Sequence, residues 1–418
     1  MRTDKRFSWD TLRTLGPGIL FASMAVGTSH LVLSTKAGAQ FGWWALLPIA
    51  AANWLKYPFF EFGIRYTQVT GKSLLQGYLE KGRGYFNAYA LVTLVSSITI
   101  LSTLYTVTAG LMLQIIPDID IPLTLMVGLL LGSVAVVLSY GQYRWLENSL
   151  KAVVTLLIAA LLITVVMALW EGPVTRDPAW VYPEVGDATA VLFWISLIGW
   201  MPTAVEASSW VSMWRLAKNK SVTQNLTQAL AEFKFGYWVT AVLAVLFLIV
   251  GMYTFYGTLG TLSNQSVAFA DQLIGVFARR MGAWTYPVVA LAAFATMLSS
   301  CITAHDALGR ISVDTLQKWN LIRSENTQRY LIAVIWVLAL ANAGVVWYTG
   351  AQMGLLVATA TAVSFVLAPA IGWLNYSLVT GPNFDKAQQP NRKIIFQAYA
   401  GMIFLSLFAG YYFWLLLA

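Results

Sequence analysis

Val26-Gly27-Thr28-Ser29-His30 interrupts the apolar stretch Leu15 to Gly42 with small and polar residues at the depth where a membrane helix is driest. Hydrocarbon offers no water to freed backbone N–H and C=O groups, so an interrupted span persists only where its backbone lines a cavity or a ligand. The break directs the reading toward a binding site inside a bilayer, and so toward transport.

The rest of the chain places that break in a polytopic membrane protein. Of its 418 residues 58% are hydrophobic and 11% charged, and the mean hydropathy is +0.66, whereas about a quarter of the residues of a soluble domain are charged. Eleven stretches have the length and apolarity of a span, near 16–38, 42–65, 86–115, 122–140, 148–170, 188–214, 232–257, 283–308, 329–348, 354–379 and 394–417.

The basic residues then set an orientation. Arg2, Lys5, Arg6, Arg13, Arg65, Lys72, Lys81, Arg83, Arg144, Lys151, Arg215, Lys218, Lys220, Lys234, Arg310, Lys318, Arg323, Arg329, Lys386, Arg392 and Lys393 fall on one side. The opposite connections hold Arg176, Arg279 and Arg280 among the acids Asp118, Asp120, Glu171, Asp177, Glu184, Asp187 and Asp271. The expected topology has a cytoplasmic N-terminus and an external C-terminus. The net charge of +8 is this bias and calls for no nucleic-acid partner. The first span lacks a small-residue cleavage site and reads as retained. No appended soluble domain is expected, and the compact length and bare termini suit a bacterial inner membrane. Cys301 is the single cysteine, which excludes an intramolecular disulfide and a cysteine-based metal site. It reads as packing.

An inverted-repeat transporter carries a second broken helix five spans later, and Ile198-Gly199-Trp200-Met201-Pro202-Thr203 meets that requirement. Pro202 removes a backbone donor and crowds the preceding turn, and Gly199 relaxes the chain beside it. The expected fold is all-α, with five plus five helices in inverted repeat: repeat one at 15–170, repeat two at 188–379, and an extra helix at 394–417, all in one transmembrane domain.

Several motifs resemble a known family. Gly16-Pro17-Gly18 followed by Ala37-Gly38-Ala39-Gln40-Phe41-Gly42, Asn53 to Val69-Thr70-Gly71-Lys72, Tyr143-Arg144-Trp145-Leu146-Glu147 and Met201-Pro202 are similar to the NRAMP (natural resistance-associated macrophage protein) metal transporters. The likeness is strong as far as the sixth span and weak beyond it. It implies an eleven-helix LeuT-like fold, alternating access around spans one and six, and proton-coupled movement of divalent transition metals. The family's metal site is nevertheless largely missing. Its first-span Asp-Pro-Gly-Asn aligns with Gly27-Thr28-Ser29-His30, its sixth-span Met-Pro-His with Met201-Pro202-Thr203, and its third-span acids have no counterpart between Phe86 and Pro117, where Ser96, Ser97, Ser102 and Thr103 stand. An intact manganese or iron site is not expected.

The candidate substrate-binding residues are Gly27, Thr28, Ser29, His30, Gly199, Met201, Thr203 and Glu206. Intramembrane ionisable groups mark function or pairing. Glu206 is placed just over a turn into the second half of span six, facing the cavity or held in an ion pair. Asp306, His305, Ser299 and Thr303 are candidates for a coupling ion, with Ser299, Thr303 and Asp306 on one helix face; the competing reading pairs Asp306 with Arg310. His30 is read as a metal ligand with Met201, as a proton carrier, or as a buried histidine with a structural partner. Lys56 and Glu61 are expected to pair, and Lys36 to mark the external end of span one. Trp180, Trp194, Trp200, Trp210 and Trp214 read as interfacial anchors, with gating residues among them as the alternative.

Two cargo readings follow. The first is a secondary transporter, by symport, of a metal or other inorganic cation through an altered site. The second is a carrier of a small anion or zwitterion, such as a carboxylate, an inorganic anion or an amino acid, held at half-helix N-termini. No cofactor is called for beyond a coupling H+ or Na+. The partners are the small solute and the lipid bilayer; the sequence sets no oligomeric state, and a monomer suffices. No nucleophile–base set or phosphate loop points to an enzyme.

Overall fold

The computed structural model describes residues 21–22, 24–140, 144–219, 224–382 and 384–417, with the side chains of 144–154, 218, 219 and 416 outside that description. Arg2, Lys5, Arg6, Arg13, the Gly16-Pro17-Gly18 motif, Tyr143 and Lys220 therefore lie outside the described residues, as do the side chains of Arg144 to Glu147, Lys151 and Lys218.

Among the described residues every regular element is helical. After the break at Val26-Gly27, span one continues through a π-helical segment, Ser29–Ser34, into α1 (Thr35–Phe41). There follow α2 (Leu46–Thr70), α3 (Leu74–Lys81), α4 (Arg83–Ile115), α5 (Leu123–Tyr140), α6 (Arg144–Glu171), α7 (Ala188–Trp200), α8 (Ala207–Asn219), α9 (Leu226–Phe255), α10 (Ser266–Met281), α11 (Tyr286–Lys318), α12 (Thr327–Tyr348), α13 (Met353–Val379) and α14 (Arg392–Leu417). Seven of the described helices are long and apolar enough to cross a membrane. Span six is divided into α7 and α8, and α2 carries Lys56, Glu61 and Arg65 within its length.

Local chemistry sets the ends. Asp187 caps α7 by accepting from Ala190 N at 2.7 Å, and Asn225 and Gln228 form a reciprocal capping box at the start of α9. Gly71, at φ +67°, closes α2 in the left-handed conformation that glycine adopts without a Cβ penalty.

Helix contacts repeat under exchange of the two halves. Span one on seven (α1 on α9) matches six on two (α8 on α2); three on ten (α4 on α13) matches eight on five (α11 on α6); two on ten (α2 on α13) matches seven on five (α9 on α6). Three on eight (α4 on α11) and four on nine (α5 on α12) map onto themselves, and α14 packs outside on α2 and α13. This is the contact pattern of a five-plus-five inverted repeat. The connections after spans two and seven, expected as loops, each contain a helix, α3 and α10. Arg279 and Arg280 belong to the last turn of α10, and Arg280 bonds Glu171 at the end of span five at 2.6 Å.

Spans one and seven approach each other closely. A Cβ on Gly38 would lie 2.0 Å from Leu248 O, and one on Gly251 would lie 2.0 Å from Thr35 O. Small residues at such crossings let backbones meet where lipid supplies no hydrophobic drive between helices. Trp43, Trp44, Trp170, Trp284, Trp347 and Tyr348 are exposed at helix ends that the alternation puts on one face, as an interfacial belt requires.

Candidate functional site

Span six breaks because of its own residues. In α7 the Met201 N–H still reaches Leu197 O at 3.0 Å, but Pro202 has no N–H to give Ile198 O. The chain stays non-helical until Ala207, whose N–H bonds Ala204 O at 3.1 Å. Span one breaks more mildly. Gly27 N turns back to Ala25 O at 2.9 Å, and the N–H groups of His30 and Leu31 share Gly27 O.

The two breaks touch. Ser29 Oγ lies 3.0 Å from Ala25 O, 3.2 Å from Pro202 O and 2.8 Å from His30 Nδ1. Between them is a cavity with about 30 Å³ open to the centre of a water molecule, room for one small ion or a water or two. Its polar wall comes from Gly27, Thr28, Ser29, Thr203 and Ser300, and its apolar wall includes Ile100, Leu104, Trp200 and Trp210. Thr28 Oγ1 is buried with no hydrogen-bond partner among the described residues.

The expected residues divide over this geometry. Gly27, Thr28, Ser29 and Thr203 reach the wall, whereas His30, Gly199, Met201 and Glu206 stand behind it. His30 Nε2 lies 2.9 Å from Thr240 O, an atom that only accepts, so Nε2 carries a proton and Nδ1 faces Ser29. Gly199 is helical rather than a hinge: a Cβ there would sit 2.3 Å from Thr361 O, so glycine serves the contact between spans six and ten. On α11 the wall takes its register from Ser300 and Ala304. Thr303 bonds Ser299 O at 2.7 Å, Asp306 pairs with Arg310 at 2.7 Å, and His305 lies between Tyr105 at 2.9 Å and Ile335 O at 3.1 Å. The described residues contain no group of three or more His, Cys, Asp or Glu side chains able to hold a metal ion.

Two expectations are corrected. Glu61 pairs with Arg65 at 2.5 Å, not with Lys56; Arg65 is one turn on, whereas five residues carry Lys56 well around the helix. Lys56 instead crosses to span six, where Nζ donates to Ile198 O at 2.9 Å, Gly199 O at 2.9 Å and Thr203 O at 2.8 Å. Glu206 does not sit a turn into the second half-helix; it ends the unwound segment just before Ala207. Its Oε1 accepts from Ser96 Oγ at 2.9 Å and Ser364 Oγ at 2.8 Å, its Oε2 is buried with no hydrogen-bond partner among the described residues, and it interacts electrostatically with Lys56. Trp200 Nε1 donates to Ser364 Oγ at 3.1 Å, which links the cavity wall to the carboxylate.

Sequence reasoning missed Ser300, Ser364 and the role of Lys56. Trp200 and Trp210 are buried wall residues rather than anchors, and Lys36 is a buried ammonium bonding Asn264 Oδ1, in the connection after span seven, at 2.7 Å.

Paired half-helices meeting around a buried cavity in an inverted repeat define a multi-pass membrane protein of the LeuT-like transporter class. The sequence profile described as "Natural resistance-associated macrophage protein-like" matches residues 18–414, and the chain belongs to this Nramp family. An uncharacterized protein of Pasteurella multocida (strain Pm70), PM0681, is 32% identical over 396 residues, covering 94% of this chain and 90% of the relative. Crystal structures of a manganese transporter from Eremococcus coleocola share the fold at 14% identity. A histidine-to-alanine mutant has a TM-score of 0.70, and a complex with an aromatic bis-isothiourea substituted compound one of 0.67; each covers 98% of this chain and 87% of the other.

Proposed function

We propose that the chain is a secondary-active transporter of a small, hard metal cation, moved by alternating access around the breaks in spans one and six and driven by an H+ or Na+ gradient. One observation carries the reading: the cavity where the breaks meet is lined on its polar side by Gly27, Thr28, Ser29, Thr203 and Ser300, and the Thr28 hydroxyl has no hydrogen-bond partner among the described residues. Neutral oxygen ligands suit magnesium- and manganese-class ions, which bind while keeping part of their water shell. The thioether of Met201 and the imidazole of His30, ligands for softer metals, stand behind the wall. Membership of the Nramp family and the fold shared with manganese transporters support the same direction. The protein then sits in a bacterial inner membrane with a cytoplasmic N-terminus and an external C-terminus, its repeats at 15–170 and 188–379 and its extra helix at 394–417. It acts as a carrier and not as an enzyme.

A second reading has an observation of its own. Lys56 lies 2.8 Å from the carbonyl of the wall residue Thr203, and Thr28 precedes the second half of span one, where backbone dipoles favour an anion. Calorimetry of the protein in lipid nanodiscs decides between them, with Mg2+ and Mn2+, then with chloride, phosphate, acetate and amino acids. Uptake into proteoliposomes under imposed proton or sodium gradients completes the test. Saturable divalent binding with gradient-driven uptake is the expected result. Silence toward metals with a response to an anion would overturn the first reading in favour of the second.

A further inference from the structure

The three carbonyls that meet Lys56 share one origin. Ile198 O would bond the N–H of residue 202, which is proline, and Gly199 O would bond that of Thr203, which the break has moved out of the helix. Thr203 O would bond Ala207, whose N–H goes to Ala204 O instead. All three are oxygens orphaned by the unwinding, two on the negative end of the α7 dipole and one beyond it. They converge on a fully buried ammonium at 2.8–2.9 Å and use all three of its donors. Glu206, which interacts electrostatically with Lys56, is a buried carboxylate with one oxygen that has no hydrogen-bond partner among the described residues.

Converging carbonyl oxygens with an adjacent carboxylate are the ligand set of a cation site. We propose that the unwound part of span six is a cation site of net charge minus one, filled permanently by the tethered ammonium of Lys56. The native protein therefore takes no free inorganic cation there, and removal of the side chain opens the site to a monovalent one. Of the groups of this site only Thr203 also belongs to the cavity wall, and Lys56 and Glu206 do not, so the site can be tested whatever the cavity carries.

The test uses the full chain in nanodiscs as wild type, Lys56→Ala and Lys56→Ala/Glu206→Gln. Each is melted in sodium chloride, potassium chloride and choline chloride of equal ionic strength, with tryptophan fluorescence as readout. The wild type is expected to melt at one temperature in potassium and choline chloride, and any sodium response of a coupling site elsewhere is expected equally in the wild type and both variants. Lys56→Ala is expected to show a saturable rise in midpoint with sodium or potassium and none with choline, and the double variant to lose that response with its carboxylate. A folded Lys56→Ala protein that melts alike in all salts overturns the proposal, as does a wild type with the same cation response as the variant. Failure to recover folded Lys56→Ala in either sodium or potassium also overturns it, since a free cation should then replace the ammonium.

Discussion

Replacing Gly27 by aspartate tests the sign of the cargo. A Cβ on Gly27 would lie 3.0 Å from Ser300 Oγ and 3.5 Å from Ser300 Cβ, a tight contact that rotation of the serine hydroxyl relieves. The carboxylate then enters a cavity only about 30 Å³ in extent, within about 4 Å of any ion held there. At that distance and an effective dielectric of about 20, unit charges attract by ~4 kcal/mol, and a divalent ion doubles this. Desolvation of the new carboxylate offsets a large part of that gain. A net ~1.4–2.8 kcal/mol remains, or roughly ten- to a hundredfold tighter cation binding. Calorimetry with Mg2+ and Mn2+ against wild type, on protein shown to be monodisperse and helical, reads the change directly. A folded Gly27→Asp protein with unchanged or weaker divalent affinity would refute the placement of a cation at this wall.

Two further outcomes test the packing around the site. Gly38→Ala would drive its methyl into the Leu248 carbonyl, a backbone group that cannot rotate away, and should cost ~1–3 kcal/mol. Gly344→Ala, with no heavy atom within 4 Å of its added Cβ, should melt at or above the wild-type temperature; equal midpoints for the two variants would dissolve the argument for close approach of spans one and seven. Cys301 is buried and lies against Thr108 across the span-three and span-eight seam. It should resist a maleimide in the native protein and react fully after denaturation, and rapid native labelling would show that the seam opens.

The breaks were legible because their causes are local. Proline at 202 and the small polar run at 26–30 interrupt apolar helix wherever the partners lie, and their five-span separation announces the inverted repeat. Partner choice was legible only where it follows helix geometry. Glu61 with Arg65 is an i,i+4 pair, and so is Asp306 with Arg310. Lys56 finds its partners 142 to 147 residues away, and no spacing rule encodes that. The side of α11 that lines the cavity was not legible: the sequence drew attention to Ser299 and Thr303 as coupling-ion candidates, and the residues facing the cavity are Ser300 and Ala304. Of the two helices in connections, α3 had a sequence signal, Ser73 three residues before Gln76, and Ser73 does accept from Gln76 N at 3.2 Å. The start of α10 lacks a side-chain cap.

The charges of the site follow from one another in a fixed order. Unwinding span six orphans three carbonyls inside the bilayer, where each unmet polar group costs several kcal/mol. Lys56 satisfies all three but brings a buried positive charge. Glu206 balances that charge, and because a carboxylate must itself be solvated, Ser96 and Ser364 supply hydroxyls to it. The circuit closes at net neutrality and shares only Thr203 and Trp200 with the cavity wall, so the wall contributes dipoles and no formal charge. A cation entering it meets no counter-charge in the wall, in contrast to the first-span acid of the metal-transporting pattern that Gly27 replaces. Discrimination among cations must then rest on how much water each ion surrenders to fit a space of about 30 Å³. Magnesium parts with its water more reluctantly than calcium, so such a wall separates ions by hydration where a carboxylate would hold every divalent ion by charge.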